Sequence, residues 1–343
     1  MMKTSLYKQV IGTGGIGGGI LFELEGNRAL SRNETRLANL SPAKDYCKAH
    51  IILHYIARVL APEVLVSAIG AVGRDPIGLE LMQMMARAGI DTAFVKTVPD
   101  SPTMYAVCMQ YADKSVCNVT TAQSASSLVT PSDIMNAVNH LPRPLDKNTI
   151  AIAVPEVPID ARLALLKLAK DKGAFCVASF LSDEARDFIE GGGLKNSDLL
   201  VINEDEAAAF CGRESPDALE LTQACAQKLR LIKPTCLLAV TFGAAGSFVS
   251  ENGGVHHIPA VPVEAVATGG AGDAFIAGIV CGLALGHPFW SESGTCAAAL
   301  GARVAAESVK EMDTIASRID RSLVLNIIDE MKSDSKLARD SRS

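Results

Sequence analysis

The sequence predicts an α/β fold in which a central, mainly parallel sheet is covered by helices on both faces. Short β-rich apolar runs alternate with longer stretches of helical periodicity, the pattern of successive βαβ units. A glycine-rich turn, Gly269-Gly270-Ala271-Gly272-Asp273, runs straight into an apolar helical pattern over 274–285. The chain has 343 residues, 48% of them hydrophobic and 20% charged, enough to bury a large core.

In chain order, the strand candidates are 8–12, 64–70, 149–154, 175–178, 199–203 and 236–241. The helix candidates between them are 42–60, 78–88, 131–139, 160–172, 204–210 and 218–232. Ser41 as N-cap and Pro42 in the first turn mark the start of the first helix. Two segments, 19–39 and 103–121, break the rhythm; the second alternates Tyr105, Val107, Met109 and Tyr111 and reads as exposed β-structure. The polar stretch from 332 onward is expected to fray, leaving one domain over 1–335 and a flexible tail over 336–343. No internal repeat or low-complexity segment is present.

A formal net charge of −6 gives no electrostatic footprint for nucleic acid. No apolar run reaches the roughly 18 residues of a membrane span. Residues 1–19 lack the apolar core of a signal peptide. The nine cysteines form no C-x-x-C pair, and Cys176, Cys236 and Cys281 lie in apolar runs. They read as reduced thiols, so a cytoplasmic protein without membrane or nucleic-acid partners is expected.

The turn at 269–273 carries the chemistry. Backbone N–H groups at a helix N-terminus can hold an anion, and the helix dipole adds to the attraction. Asp273, where loop becomes helix, is placed to accept a proton from a hydroxyl attacking a bound phosphate. The alternative reading is a tight turn with close helix packing, capped by Asp273.

Four spaced stretches add to this. Thr268-Gly269-Gly270-Ala271-Gly272-Asp273-Ala274-Phe275 is one. The others are Gly70-Ala71-Val72-Gly73-Arg74-Asp75 with Gly78, Asn203-Glu204-Asp205-Glu206, and Thr241-Phe242-Gly243-Ala244-Ala245-Gly246. Together with Gly89-Ile90-Asp91 they resemble the signatures of the ribokinase-like (PfkB) carbohydrate kinases over roughly 8–330. The resemblance implies a three-layer ribokinase-like fold with a small β-sheet lid, formed by 19–39 and 103–121, that closes over the acceptor and makes a homodimer contact. It implies an ATP-dependent phosphotransferase acting on an alcohol of a small sugar or sugar-like acceptor. Gly270, Ala271 and Gly272 would donate N–H groups to the transferring phosphoryl, with Asp273 as base. Asn203 and Glu206 would hold water around Mg²⁺, the alternative being ordinary helix capping. Thr241, Gly243, Gly246 and Thr268 would floor the ATP site. Cys296, Ala298 and Ala299 resemble the adenine-side wall, or equally serve tight helix packing.

The acceptor end departs from the family pattern. Where Gly-Gly-x-x-x-Asn is expected, the chain reads Asp45-Tyr46-Cys47-Lys48-Ala49-His50. No acid lies between Gly12 and Gly19, and Ala267 replaces the aspartate associated with a monovalent-cation site. Lys48 and His50, with Arg28, Arg32 and Arg36, are candidates for a cationic pocket taking an acidic or phosphorylated acceptor, unless they are solvated surface charges. His50 and His54 share a possible metal spacing but lack the acid of a zinc motif. Two other readings stand beside the kinase. One is a non-catalytic nucleotide or sugar sensor of the same fold. The other is a dinucleotide-dependent oxidoreductase, because Gly12-Thr13-Gly14-Gly15-Ile16-Gly17 fits G-x-G-x-x-G.

Overall fold

The computed structural model describes residues 5–113 and 115–340. The chain opens with β1 (Gln9–Thr13), β2 (Gly17–Glu23), β3 (Asn39–Tyr46), α1 (Lys48–Leu60), β4 (Leu65–Gly73), α2 (Pro76–Arg87) and β5 (Ile90–Val98). Next come β6 (Met104–Gln110), β7 (Val116–Thr120), α3 (Pro131–His140), β8 (Thr149–Ala153), α4 (Ile159–Asp171), β9 (Phe175–Ala178) and α5 (Ala185–Glu190). Then follow β10 (Leu199–Asn203), α6 (Glu204–Cys211), α7 (Ala218–Ile232), β11 (Leu237–Thr241), β12 (Ser247–Glu251) and β13 (Gly254–Ile258). The chain closes with α8 (Ala271–Ala284), α9 (Ala297–Ser308) and α10 (Arg321–Asp340).

The large sheet has the order β13-β12-β11-β10-β9-β8-β1-β4-β5. Its strands run parallel from β5 to β11, and the hairpin β12–β13 ends it antiparallel. Successive side chains of a strand point to opposite faces, and here both faces are covered. Val10, Ile150 and Val201 join a core with α1, α8, α9 and α10, while Ile11, Ala151 and Ile202 join another with α3, α4, α6 and α7. This three-layer build explains why strands such as Thr149–Ala153 are buried at every position.

Strand order reverses between β1 and β8, because the chain first builds outward through β4 and β5 and then returns to the other side of β1. In open α/β sheets such a point leaves a crevice at the carboxyl ends of the strands. Glycines let the two connections meet there: Gly15 N donates to Pro155 O at 3.0 Å, and a Cβ on Gly15 would lie 2.3 Å from Glu156 Oε2. Gly17 opens strand β2 rather than a helix, so the glycine run after β1 builds no dinucleotide site.

A second sheet, β3-β2-β6-β7, pairs β2 with β6 in parallel and has antiparallel outer pairs. It is the expected small sheet; β6 and β7 fall within 103–121, but the other two strands lie at 17–23 and 39–46, and most of 24–38 is the loop between them. The helix expected from Pro42 therefore starts only at Lys48, and Ser41 is no N-cap. Pro42 falls where the register slips between Ile20 and Phe22, on an edge strand, so its missing N–H costs no regular ladder bond. The stretch from 332, expected to fray, is helical through Asp340; residues 341–343 lie outside the described residues. Met331 is buried, Thr295 Oγ1 lies 2.7 Å from Ser335 Oγ, and Arg303 pairs with Asp334 at 2.9 Å, which fastens α10 to α9 and the loop before it.

Helices α8 and α9 touch through small residues: a Cβ on Gly278 would lie 2.7 Å from Gly301 Cα. Gly278→Val is expected to destabilise the protein by about 1–3 kcal/mol through overpacking, measured as a lower urea midpoint at unchanged m-value.

Candidate active site

Asp273 is the third residue of α8, whose first turn starts from Gly270 in the left-handed conformation at φ 75°. The side chain is 7% exposed. Thr268 O takes the N–H of Ala271 at 3.4 Å and Gly270 O that of Ala274 at 2.9 Å, whereas Gly272 and Asp273 present first-turn N–H groups for which the helix has no acceptor. A Cβ on Gly272 would meet nothing within 4 Å, so this turn borders open space. The structure therefore brings a buried carboxylate, that of Asp273, and first-turn N–H groups of Gly272 and Asp273 without a helical acceptor to one place.

Lys48 faces them. Its Nζ lies 3.8 Å from Asp273 Oδ1, and it is the first residue of α1, whose N-cap Cys47 makes no side-chain cap. Glu156, in the connection after β8, takes the Lys48 N–H on Oε2 at 3.0 Å. Glu156 holds φ at 77°, a strained conformation for a residue with a side chain. Glu206 completes the group through a reciprocal cap with Asn203: Asn203 Oδ1 accepts from Glu206 N at 2.8 Å, and Glu206 Oε2 accepts from Asn203 N at 2.9 Å.

Burial raises the carboxyl pKa of Asp273, with Lys48 opposing and Asp45 reinforcing the rise. Burial likewise lifts Glu206, and it pushes Glu156 up to about 7 against the pull of Lys48. The Lys48 ammonium is held firmly protonated by Asp273 first, against its own burial, and then by Glu206 and Glu156. The site is thus one cation among several desolvated acids.

Lys48 reaches this site and His50 does not. Residues two apart on a helix point to nearly opposite sides. The His50 ring is fully buried, 5.0 Å from Tyr46 and 5.7 Å from His54 by centroid, and burial brings its pKa down to about 3. A neutral, buried imidazole is not part of a cationic acceptor pocket. The arginines also stay away: Arg28 and Arg36 both bind Glu34, at 2.9 and 2.7 Å, and Arg32 is exposed.

Asn203 ends β10, Thr241 ends the adjacent β11, and Gly243 opens the next turn. Gly246 has φ 88°, and a Cβ there would lie 2.4 Å from Ile258 O, so the turn itself requires glycine. Cys296 is the buried N-cap of α9; Ala298 is buried in the helix core, and Ala299 is half-buried. Packing accounts for Cys296 and Ala298. Among the described residues no group of three His, Cys, Asp or Glu side chains could hold a metal ion directly.

Two residues were missed by the sequence reading. Glu156 has a signal that could have found it, an acid right after a strand at the point where strand order reverses. Asp45 enters from lid strand β3, opposite Gly19; its carboxyl accepts from Cys108 Sγ at 3.1 Å and is raised by burial. Its carboxyl thus lies beside the 12–19 run, which holds no acid of its own: a Cβ on Gly19 would lie 2.8 Å from Asp45 Oδ2.

Thr314 joins the small sheet to the 269–272 turn. Its N–H donates to Lys44 O at 3.1 Å and its Oγ1 accepts from Tyr46 N at 3.0 Å, both on β3. Tyr55 OH donates to Thr314 O at 3.1 Å and accepts from Ala316 N at 2.8 Å. A Cβ on Gly270 would lie 2.9 Å from the same carbonyl oxygen, so the turn rests directly on Thr314.

These features coincide with a known family. The pfkB family carbohydrate kinase model matches residues 52–321, and the chain belongs to that family. It is 29% identical over 223 residues to a ribokinase of Haemophilus influenzae, covering 64% of this chain and 68% of that one. It is 28% identical over 227 residues to a fructokinase of Klebsiella pneumoniae, covering 63% and 70%. Among solved structures, the ribokinase of Giardia lamblia superposes with a TM-score of 0.78 at 20% identity, covering 94% of this chain and 99% of that one. The aminoimidazole riboside kinase of Salmonella enterica, complexed with aminoimidazole riboside and an ATP analogue, gives 0.69 at 18%, covering 94% and 100%. The protein is a carbohydrate kinase, an enzyme of ATP-dependent phosphoryl transfer to a sugar.

Thr314→Val is expected to speed amide exchange in both β3 and 269–272 and to cost about 1 kcal/mol of stability. Exchange rising in β3 alone would break the link. The pKa of Glu156 lies higher in the folded chain than unfolded, so its stabilising effect is full below the unfolded value near 4.5 and is lost as pH rises through about 7. Glu156→Gln should flatten that decline, worth roughly 1–3 kcal/mol, in urea melts compared between about pH 5 and pH 8.

Proposed function

We propose that Asp273 is the general base of this kinase and that the 270–272 turn holds the transferring phosphoryl group. The observation that carries this reading is the Asp273 carboxylate, buried beside Lys48 Nζ in the same helical turn that leaves N–H donors free. The acceptor hydroxyl gives its proton to Asp273 as its oxygen attacks the γ-phosphorus. Charge growing on the phosphoryl oxygens meets the open N–H groups of the first turn, that of Gly272 among them, and the dipole of α8, while the Ala271 N–H is shared with Thr268 O. Desolvation makes Asp273 a stronger base than a solvated aspartate, and the neighbouring Lys48 ammonium opposes that rise.

The excess of acids argues against the anionic acceptor that a cationic pocket would have favoured. Glu156 and Asp45 are hydrogen-bond acceptors suited to a neutral polyhydroxy sugar, with Lys48 donating to its oxygen atoms. The nucleotide lies along Thr241, Gly243, Gly246, Thr268 and Ala299. Glu206, whose Oε1 is left over from the cap, and Asn203 would hold Mg²⁺ through water, and the ion would supply neutralisation of the nucleotide phosphates. The nine free thiols support a reducing, cytoplasmic setting.

We also propose a homodimer through the outer lid face. Ile20, Phe22, Val107 and Met109 are half-buried there, and Leu40 and Val119 are 62% and 66% exposed, making one apolar surface across the sheet. Such a face on an isolated lid needs a cover, and a second copy supplies a self-complementary one.

Transfer of labelled phosphate from ATP and Mg²⁺ across sugars, sugar acids and sugar phosphates tests the reading. A neutral sugar should be labelled, and Asp273→Asn should cut turnover about 10²–10⁴-fold with ATP binding retained. Full turnover in Asp273→Asn would refute the base. Light scattering tests the assembly: the wild type should be a dimer that Val119→Lys dissociates, and a wild-type monomer would end the idea.

A further inference from the structure

Away from the site, the last residue of α6 meets the middle of α7. Cys211 Sγ lies 2.9 Å from Cys225 Sγ, closer than two non-bonded sulfurs ordinarily rest, and Cys225 also faces Ala207 O at 3.5 Å. Cys211 is half-exposed, so a small oxidant can reach it, whereas Cys225 is buried behind it. The surroundings favour a thiolate on the outer sulfur. Lys228, whose Nζ donates to Phe210 O, and Arg213, paired with Glu220 at 3.3 Å, bring positive charge to the pair. The hydrogen bond from Cys225 lowers the Cys211 thiol first, against burial, with Lys228 and Arg213 adding to the fall. A partly exposed, depressed thiol with a second sulfur behind it has the makings of an oxidation site with its own resolving cysteine.

We propose that Cys211 and Cys225 are a site of reversible oxidation by hydroperoxides, Cys211 being attacked first and Cys225 closing the disulfide. The Cys211 thiolate attacks one peroxide oxygen, the O–O bond breaks, and the departing oxygen takes a proton, leaving a sulfenic acid. The Cys225 sulfur then attacks the Cys211 sulfur. An S–S bond forms, the S–O bond breaks, and hydroxide leaves with the Cys225 proton as water. Two thiols and one hydrogen peroxide give one disulfide and two waters, each sulfur losing one electron and the peroxide gaining two.

The bond would tie the end of α6 to α7 across the 212–217 connection. Helix α6 begins at the Asn203–Glu206 cap, so the lock acts on an element that reaches the candidate site. This inference does not rest on the kinase mechanism, and its test needs no turnover.

The folded, full-length protein is treated with hydrogen peroxide and its intact mass is measured before and after dithiothreitol. The expected result is a loss of about 2 Da that the reductant reverses, with unreduced digests joining the peptides of Cys211 and Cys225. Cys225→Ser should leave a sulfenic acid on Cys211 that dimedone traps, and Cys211→Ser should give no dimedone adduct at Cys225. Stepwise gain of oxygen at Cys211 without the cross-link would overturn the proposal. So would oxidation elsewhere while both thiols stay free, and these outcomes can be read from the wild type alone.

Discussion

One ammonium set among buried carboxylates organises this protein. Lys48 is the cation that Asp273, Glu206 and Glu156 share, and burial makes each acid costly to ionise. Charges in such a place must be held by several elements at once, because a misplaced partner leaves an uncompensated charge. The acids come from α8, α6 and the connection after β8; the cation comes from the first turn of α1. The reversal of strand order gathers these carboxyl-end connections into one crevice. Glycine at 14 and 15 lets them approach: a Cβ at Gly14 would lie 2.5 Å from Val154 Cγ2.

The lid is bound to this arrangement through the edge of β3. Thr314 hydrogen-bonds to that strand, and the turn of Gly270 rests on its carbonyl, so the position of the lid and the shape of the phosphate turn share one support. Tyr55 holds that support from α1, the helix that also carries Lys48. Asp45 lies on the same strand. A shift of the lid would thus bear on Asp45 and on the 269–272 turn together.

Much of the frame was legible in the chain because its signals are local. The strands 199–203 and 175–178 and the helix 218–232 have the boundaries their periodicity indicates. The helix capping that stood as the alternative reading of Asn203 and Glu206 is present as a reciprocal cap. The start of α1 was misread because Ser41-Pro42 carries a genuine local helix-start signal that pairing with β2 overrides. The tail beyond 332 was misread for a related reason: one buried stripe and a few cross-links hold a polar helix that its composition alone would not.

By itself the sequence determined the alternating α/β plan and the glycine turn that leads into α8 at Asp273, because glycine freedom, capping and hydrophobic period act over a few residues. Only the tertiary structure decided which charges meet. It set Lys48 against Asp273 and sent His50 two residues later into the core, brought Glu156 from 108 positions away, and folded the arginines onto Glu34. The physical reason is range. Desolvation and Coulomb attraction depend on which distant segments close over a group, and no window of sequence contains that information.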